Sequence, residues 1–131
     1  MSGNPKKYIG VDILPCPIET AQSLAKERGI DFTFVQADTL DPNFSIEETD
    51  LLFIDTFHTY EHLSQELRLH GNKAKKYIVF HDTHTFGLKG EVDSDNKGLL
   101  TAIIEFMIEN PHWRFKIHKT NNNGLTVLER T

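Results

Sequence analysis

Short apolar runs that alternate with helical stretches are the feature that most constrains how this chain can fold. The runs are rich in β-branched and aromatic residues, and the stretches between them have apolar residues at helical spacing. We predict strands at 7–13, 31–37, 50–55, 76–81, 113–119 and 125–130, and helices at 18–28, 59–73 and 98–110. This order predicts an α/β fold with a mostly parallel sheet between helices. Asn121-Asn122-Asn123-Gly124 predicts a C-terminal antiparallel hairpin.

Size and composition exclude several classes of protein. A chain of 131 residues favours a single domain, which we place at 1–131. It has no apolar run long enough for a membrane helix and no signal-peptide pattern, and its one cysteine, Cys16, suits a reducing cytoplasm. A net charge of −5 disfavours nucleic acid as a partner. We therefore expect a cytoplasmic protein that binds a small molecule.

Acidic residues follow the predicted strands at the point where each strand ends. They are Asp12, Asp38, Asp55 and the pair His81-Asp82. An aspartate in such a place can be a helix cap or a turn former. Because ligands of open α/β sheets bind outside the carboxyl ends of the strands, four acids in this register favour a shared site.

The densest group of such residues predicts a metal site with an acid–base residue beside it. Asp55, His58, His81 and Asp82 are together suited to a divalent cation; carboxylates favour Mg²⁺ or Mn²⁺, and imidazole favours Mn²⁺, Fe²⁺ or Zn²⁺. His58 is placed either to act as a general base on a substrate hydroxyl or to lie near a helix N-cap. His84, in a long aperiodic loop at 83–96, is a weaker candidate for the same site.

A competing motif is H-x-x-E-H, spelled by His58 to His62, which is the inverted zinc-peptidase signature. That chemistry requires both histidines on one helical face. His58 directly follows a predicted strand, so we expect it to precede the helix and disfavour the peptidase. The remaining histidines are expected on helix surfaces or edge strands: His62, His70, His112 and His118.

The segment FIDTFHTYEHLSQEL followed by YIVFHDTH resembles the metal-dependent small-molecule O-methyltransferases related to cephalosporin hydroxylase, a class I S-adenosylmethionine-dependent family. The resemblance covers roughly residues 7–87. It implies a three-layer Rossmann-like sheet and an S-adenosylmethionine cofactor with a divalent metal, Mg or Mn. It further implies that Asp55, His81 and Asp82 hold the metal and that His58 is the base.

The resemblance also implies the cofactor contacts, with Asp12 at the ribose hydroxyls, Asp38 beside the adenine, and Asp55 between metal and cofactor. Two features depart from the family. His81 replaces the first acid of the usual metal pair, which changes the metal preference. The chain also lacks the family's first strand and its glycine-rich turn, E/D-x-G-x-x-x-G, so we expect an N-terminally truncated fold that binds the cofactor weakly.

Three functions follow from these expectations. The first is an O-methyltransferase acting on a small hydroxylated metabolite. The second is a non-catalytic methyltransferase-like domain with an assembly or metal-binding role, and the third is a small metal-dependent hydrolase. Because the missing strand and helix would expose apolar surface, we also predict a homodimer, with direct pairing of 8–12 and 51–55 within one chain as the competing solution.

Overall fold

A computed structural model describes residues 5–92 and 96–131, which form two compact units, Met1–Phe44 and Ser45–Thr131. Every predicted strand and helix is present within a few residues of its expected bounds, which confirms the α/β class. No helix in the described ranges is long and apolar enough to cross a membrane. Residues 93–95 of the predicted loop at 83–96 lie outside the described residues.

The first unit is a β-α-β segment. Strand β1 (Lys7–Asp12) pairs in parallel with β2 (Asp31–Gln36), and α1 (Glu19–Glu27) connects them. Gly29 ends the helix in a left-handed conformation with φ 65°, which is the common role of glycine just past a helix terminus. The parallel register places the carboxyl ends of β1 and β2 side by side.

The second unit is a four-stranded mixed sheet with two helices. Strand β3 (Thr49–Ile54) pairs in parallel with β4 (Ala74–His81), and β6 (Leu125–Arg130) lies antiparallel between β4 and β5 (Trp113–Lys119). The predicted C-terminal hairpin is therefore confirmed. Its turn contains three consecutive left-handed residues, Asn122, Asn123 and Gly124.

Helices α2 (Tyr60–His70) and α3 (Leu99–Glu109) bury their apolar sides against this sheet. The α2 helix ends before the predicted 59–73 range does, and a short 3₁₀ turn covers Gly71–Lys73. A side chain at Gly71 would come within 2.7 Å of the Phe106 ring, so the close approach of α3 requires glycine there. The main members of the core are Ile54, Leu63, Leu67, Ile78, Phe80, Ile103, Phe106 and Leu128.

The histidines outside the predicted site differ in how deeply they are buried. His70 was expected on the helix surface, and this is wrong, because it is only 5% exposed on the core side of α2. His118 is exposed, as predicted, and His112 is half-buried; each ring lies near a polar side chain, Asn72 for His112 and Thr126 for His118. A half-buried His62 lies 3.3 Å from the carboxylate of Glu66.

Candidate functional site

Asp55 and His81 lie side by side because of the parallel pairing of β3 and β4. Ile54 is opposite Phe80 in the register, so the next residue on each strand is at the same edge of the sheet. The His81 Nδ1 atom is 3.9 Å from Asp55 Oδ1. The two strand ends therefore supply one carboxylate and one imidazole to a common point.

Asp82 joins them because the backbone turns sharply after β4. Consecutive residues of a strand point to opposite faces, so His81 and Asp82 would normally diverge. Asp82 has φ 60°, a left-handed conformation that aspartate tolerates better than most residues. Its Oδ1 atom consequently lies 3.1 Å from His81 Nδ1.

These three side chains form a group that can hold a metal ion. One ligand atom from each of Asp55, His81 and Asp82 lies within 4.8 Å of the others. A cavity of about 10 Å³, lined by Asp55, His58 and His81 among others, has room for about one water-sized group. The donor set of two carboxylates and one imidazole suits Mn²⁺ better than Mg²⁺, which prefers oxygen ligands alone.

His58 lies next to this group and outside helix α2. Its Nε2 atom is 2.8 Å from Asp82 Oδ2 and 3.6 Å from Asp55 Oδ1. Thr59, the helix N-cap, has extended backbone angles and accepts a hydrogen bond from the His62 N–H. His58 therefore precedes the helix, so the geometry required by the inverted zinc-peptidase motif is not formed.

Two ring nitrogens at this site, His58 Nε2 and His81 Nδ1, are buried and make no in-line hydrogen bond within the described part of the chain. The carboxylate of Asp82 lies at ion-pair distance from both nitrogens, but its oxygens do not have the direction that a hydrogen bond to either nitrogen requires. A buried polar atom left in this way costs about 1–3 kcal/mol and needs an explanation, and a bound ion or a catalytic role is such an explanation. The two nitrogens therefore fit a site that takes a cation and a polar substrate group.

A buried carboxylate that the sequence did not single out supports the segment between β3 and α2. Glu66 is only 3% exposed, and its Oε2 atom accepts a hydrogen bond of 2.5 Å from the Thr56 hydroxyl. Thr56 immediately follows Asp55. In the sequence, Glu66 is an ordinary polar position of an amphipathic helix, so only its burial shows this supporting role.

Two residues from the segment that follows β4, Phe86 and Glu91, lie against His58. Phe86 stacks on the imidazole with ring centroids 4.7 Å apart and planes 7° from parallel. Glu91, a second residue missed by sequence reasoning, places Oε2 3.2 Å from His58 Nδ1. His84 is exposed, and its backbone N–H donates to the carbonyl of Asn123 in the hairpin turn.

The end of the same loop is held by a charged cluster. Lys97 Nζ lies 3.7 Å from the Glu105 carboxylate and 4.5 Å from the centre of the Tyr60 ring. The Tyr60 hydroxyl donates to the other oxygen of Glu105 at 2.5 Å. The pKa of Lys97 is raised above its ordinary value, first by Tyr60 and then by Glu105. This cluster ties the loop to both helices.

Asp12 and Asp38 follow β1 and β2 in the first unit, where each carboxylate makes a local turn hydrogen bond. Asp12 Oδ1 accepts from the Leu14 N–H at 2.8 Å, and Asp38 Oδ1 accepts from the Leu40 N–H at 2.9 Å. Both residues are exposed, and they follow or end the paired parallel strands at their carboxyl ends. These hydrogen bonds explain why an aspartate is suited to each turn, and they also orient the two carboxylates.

Neither a protein-family model nor a curated protein matches the sequence. Solved structures with similar folds include a Corynebacterium glutamicum protein (TM-score 0.62, 15% identity) and magnesium protoporphyrin IX methyltransferase from Synechocystis with bound S-adenosylhomocysteine (TM-score 0.61, 14% identity). They cover 94% of this chain in each case, and the chain spans 60% and 63% of their own lengths. The N-methyltransferase NodS from Bradyrhizobium japonicum, also with S-adenosylhomocysteine, has a TM-score of 0.55 at 15% identity, with 95% of this chain and 67% of NodS covered.

Proposed function

Proceeding from the class I S-adenosylmethionine-dependent methyltransferase fold of this chain, we propose that it is an O-methyltransferase assisted by a divalent metal and acting on a small hydroxylated metabolite. The observation that carries the proposal is the convergence of Asp55, His81 and Asp82 around one point, with His58 Nε2 directly beside it. A metal group and a neighbouring imidazole are the two parts needed to activate a hydroxyl.

The cofactors would supply the methyl group and positive charge, the latter stabilising an oxygen that is losing its proton. In this proposal Asp55, His81 and Asp82 hold the metal. Asp12 accepts hydrogen bonds from the ribose hydroxyls and Asp38 lies by the adenine, which fits two oriented carboxylates at adjacent strand ends.

His58 acts as the general base. The acceptor oxygen would receive the methyl group from the sulfonium sulfur of the cofactor, and the O–H bond of that oxygen would break as its proton passes to His58 Nε2. The atom is buried and lacks an in-line hydrogen bond within the described ranges, so it has a lone pair to offer in the neutral imidazole. Stacking on Phe86 fixes the plane of the ring.

A cavity beside the metal group supports a small polar acceptor. It is an open depression with a volume of about 280 Å³, lined by His81, Leu125 and the exposed residues Lys119, Asn121 and Asn122. This is slightly below the usual size of small-molecule sites, about 300–1,000 Å³, and therefore suits only a small acceptor. Two amides and an ammonium group suit an acceptor that carries several hydroxyls or an acidic group.

Methyl transfer from radiolabelled S-adenosylmethionine to a panel of sugars and phenols, with Mn²⁺ present, tests this function. We expect transfer that needs the metal and falls by more than about 100-fold in His58→Ala, since general bases contribute about 10²–10⁴-fold. Glu109→Ala, at the exposed end of α3, is the matched control. Metal binding without any cofactor binding or transfer would instead favour a non-catalytic metal-binding role, and hydrolysis of an ester or amide panel would favour the hydrolase.

A further inference from the structure

Glu91 binds His58 in two ways at once. Its backbone N–H donates to the carbonyl of His58 at 2.8 Å, while its side-chain Oε2 lies 3.2 Å from His58 Nδ1. The ring and the backbone of His58 are thus both tied to one residue, 33 positions further along the chain. Phe86 stacking leaves the imidazole little freedom to rotate away.

The loop that carries Glu91 is built to approach the His58 backbone closely. At Gly90, a Cβ atom would lie 3.0 Å from the His58 carbonyl oxygen and 3.3 Å from Thr59 Cα, so a larger residue would push the loop outward. The Gly90 N–H donates to the carbonyl of Lys97 at 3.2 Å, which closes the loop on itself. Glu91 is therefore held beside His58 by its own N–H and by the backbone bond of the residue before it.

We infer that Glu91 is the positioning residue for His58, selecting the imidazole form that is protonated on Nδ1. A neutral imidazole has one N–H donor and one acceptor nitrogen, and a carboxylate at Nδ1 favours the proton there. The lone pair is then on Nε2, which faces the group formed by Asp55, His81 and Asp82. The inference rests on the proposed function, in which Nε2 accepts the proton.

The carboxylate at the other nitrogen does not reverse this selection. Asp82 Oδ2 is 2.8 Å from Nε2, yet the pair lacks hydrogen-bond geometry, whereas the contact of Glu91 with Nδ1 is a hydrogen bond. Asp82 also belongs to the group that would hold the metal. Glu91 is not a member of this metal group among the described residues.

The test is the ¹⁵N NMR spectrum of the full chain labelled on histidine, recorded at alkaline pH with Mg²⁺, which is diamagnetic. The His58 signals are assigned by their loss in His58→Gln. We expect the Nδ1–H form to exceed the Nε2–H form by about tenfold or more, because a charged hydrogen bond contributes a factor of that order. Glu91→Ala should abolish this excess, and Glu91→Gln, which keeps an acceptor oxygen, should retain much of it.

Glu109→Ala should leave the His58 signals unchanged. The inference is overturned if His58 in the parent chain is mainly protonated on Nε2, or if Glu91→Ala leaves the ratio of the two forms as it was. The spectrum can be recorded whether or not the chain transfers methyl groups. If the chain has no transfer activity but Glu91→Ala still changes the ratio of the two His58 forms, the proposed function is refuted and the positioning role of Glu91 is retained. In an active chain, Glu91→Ala should lower kcat by about 10- to 100-fold with little change in KM.

Discussion

Replacing Gly98 with alanine should strongly destabilise the second unit. The residue has extended backbone angles, φ −118° and ψ −168°, so alanine is allowed by its conformation and only the surroundings matter. Its Cβ atom would lie 2.5 Å from the carbonyl carbon of Gly87 and from the carbonyl oxygen of Phe86, and closer still to the Gly87 oxygen. These are backbone atoms, so the overlap cannot be relieved by a side-chain rotation.

The loss of stability in Gly98→Ala can be estimated from the contacts that the added methyl group would disturb. Separating the two segments strains the hydrogen bonds from the Leu99 N–H to Phe86 (2.9 Å) and from the Leu100 N–H to Gly87 (3.0 Å). Overpacking costs about 1–3 kcal/mol and each of the two weakened hydrogen bonds about 0.5–1.5 kcal/mol, so we expect a loss of about 2–6 kcal/mol. Phe86 would also shift from the His58 ring.

Urea unfolding followed by the fluorescence of Trp113, the single tryptophan, measures this loss. With a slope of about 1–3 kcal/mol per molar urea, the midpoint should fall by about 0.7 M or more. Gly10→Ala is the control, because its Cβ would make only ordinary contacts, 3.6 Å from Phe34, and alanine there should change stability by less than about 1 kcal/mol. A Gly98→Ala midpoint within 0.2 M of the parent, on the order of the extrapolation error, would refute the steric argument.

Three further predictions concern the support of the site, the cofactor and the assembly. Glu66→Ala should lower the free energy of unfolding by about 1–3 kcal/mol, because the Thr56 hydroxyl loses its acceptor. A urea midpoint equal to that of the parent chain would argue against a supporting role of Glu66. Calorimetry should show S-adenosylmethionine binding weaker than micromolar, because the sequence contains no E/D-x-G-x-x-x-G turn for the methionine part; tight binding would contradict this. We propose that the chain forms a homodimer, because Leu51 and Phe53 share one face of β3 and are 50% and 53% exposed. Light scattering should give a mass of twice 15.0 kDa, and the mass of a single chain would exclude the dimer.

The secondary structure could be predicted because each element has a strong local signal. The run at 50–55 and the run at 76–81 are apolar and bounded by polar residues, and both are strands within two residues of the prediction. The burial of His70 was missed, because it depends on tertiary contacts with the rest of the second unit. Periodicity does not report such contacts.

The candidate site was predictable in part because a parallel sheet brings strand ends together. That rule alone places Asp55 beside His81, and the left-handed turn at Asp82 completes the group. Glu91 lies in a loop without periodicity, so nothing in the sequence connects it to His58. The roles assigned to these residues, and to Asp12 and Asp38, stay predictions.

Metal binding tests the central claim most directly. Titration of the chain with Mn²⁺, followed by the electron paramagnetic resonance signal of the free ion, should show one site per chain. Asp82→Asn keeps a residue that tolerates the left-handed turn and removes one charged ligand, so it should weaken binding by more than about tenfold. Asp50→Asn removes a charge from the exposed ion pair with Lys76, outside the metal group, and should bind as the parent does. Binding that is absent in the parent, or equally strong in Asp82→Asn, would contradict the account.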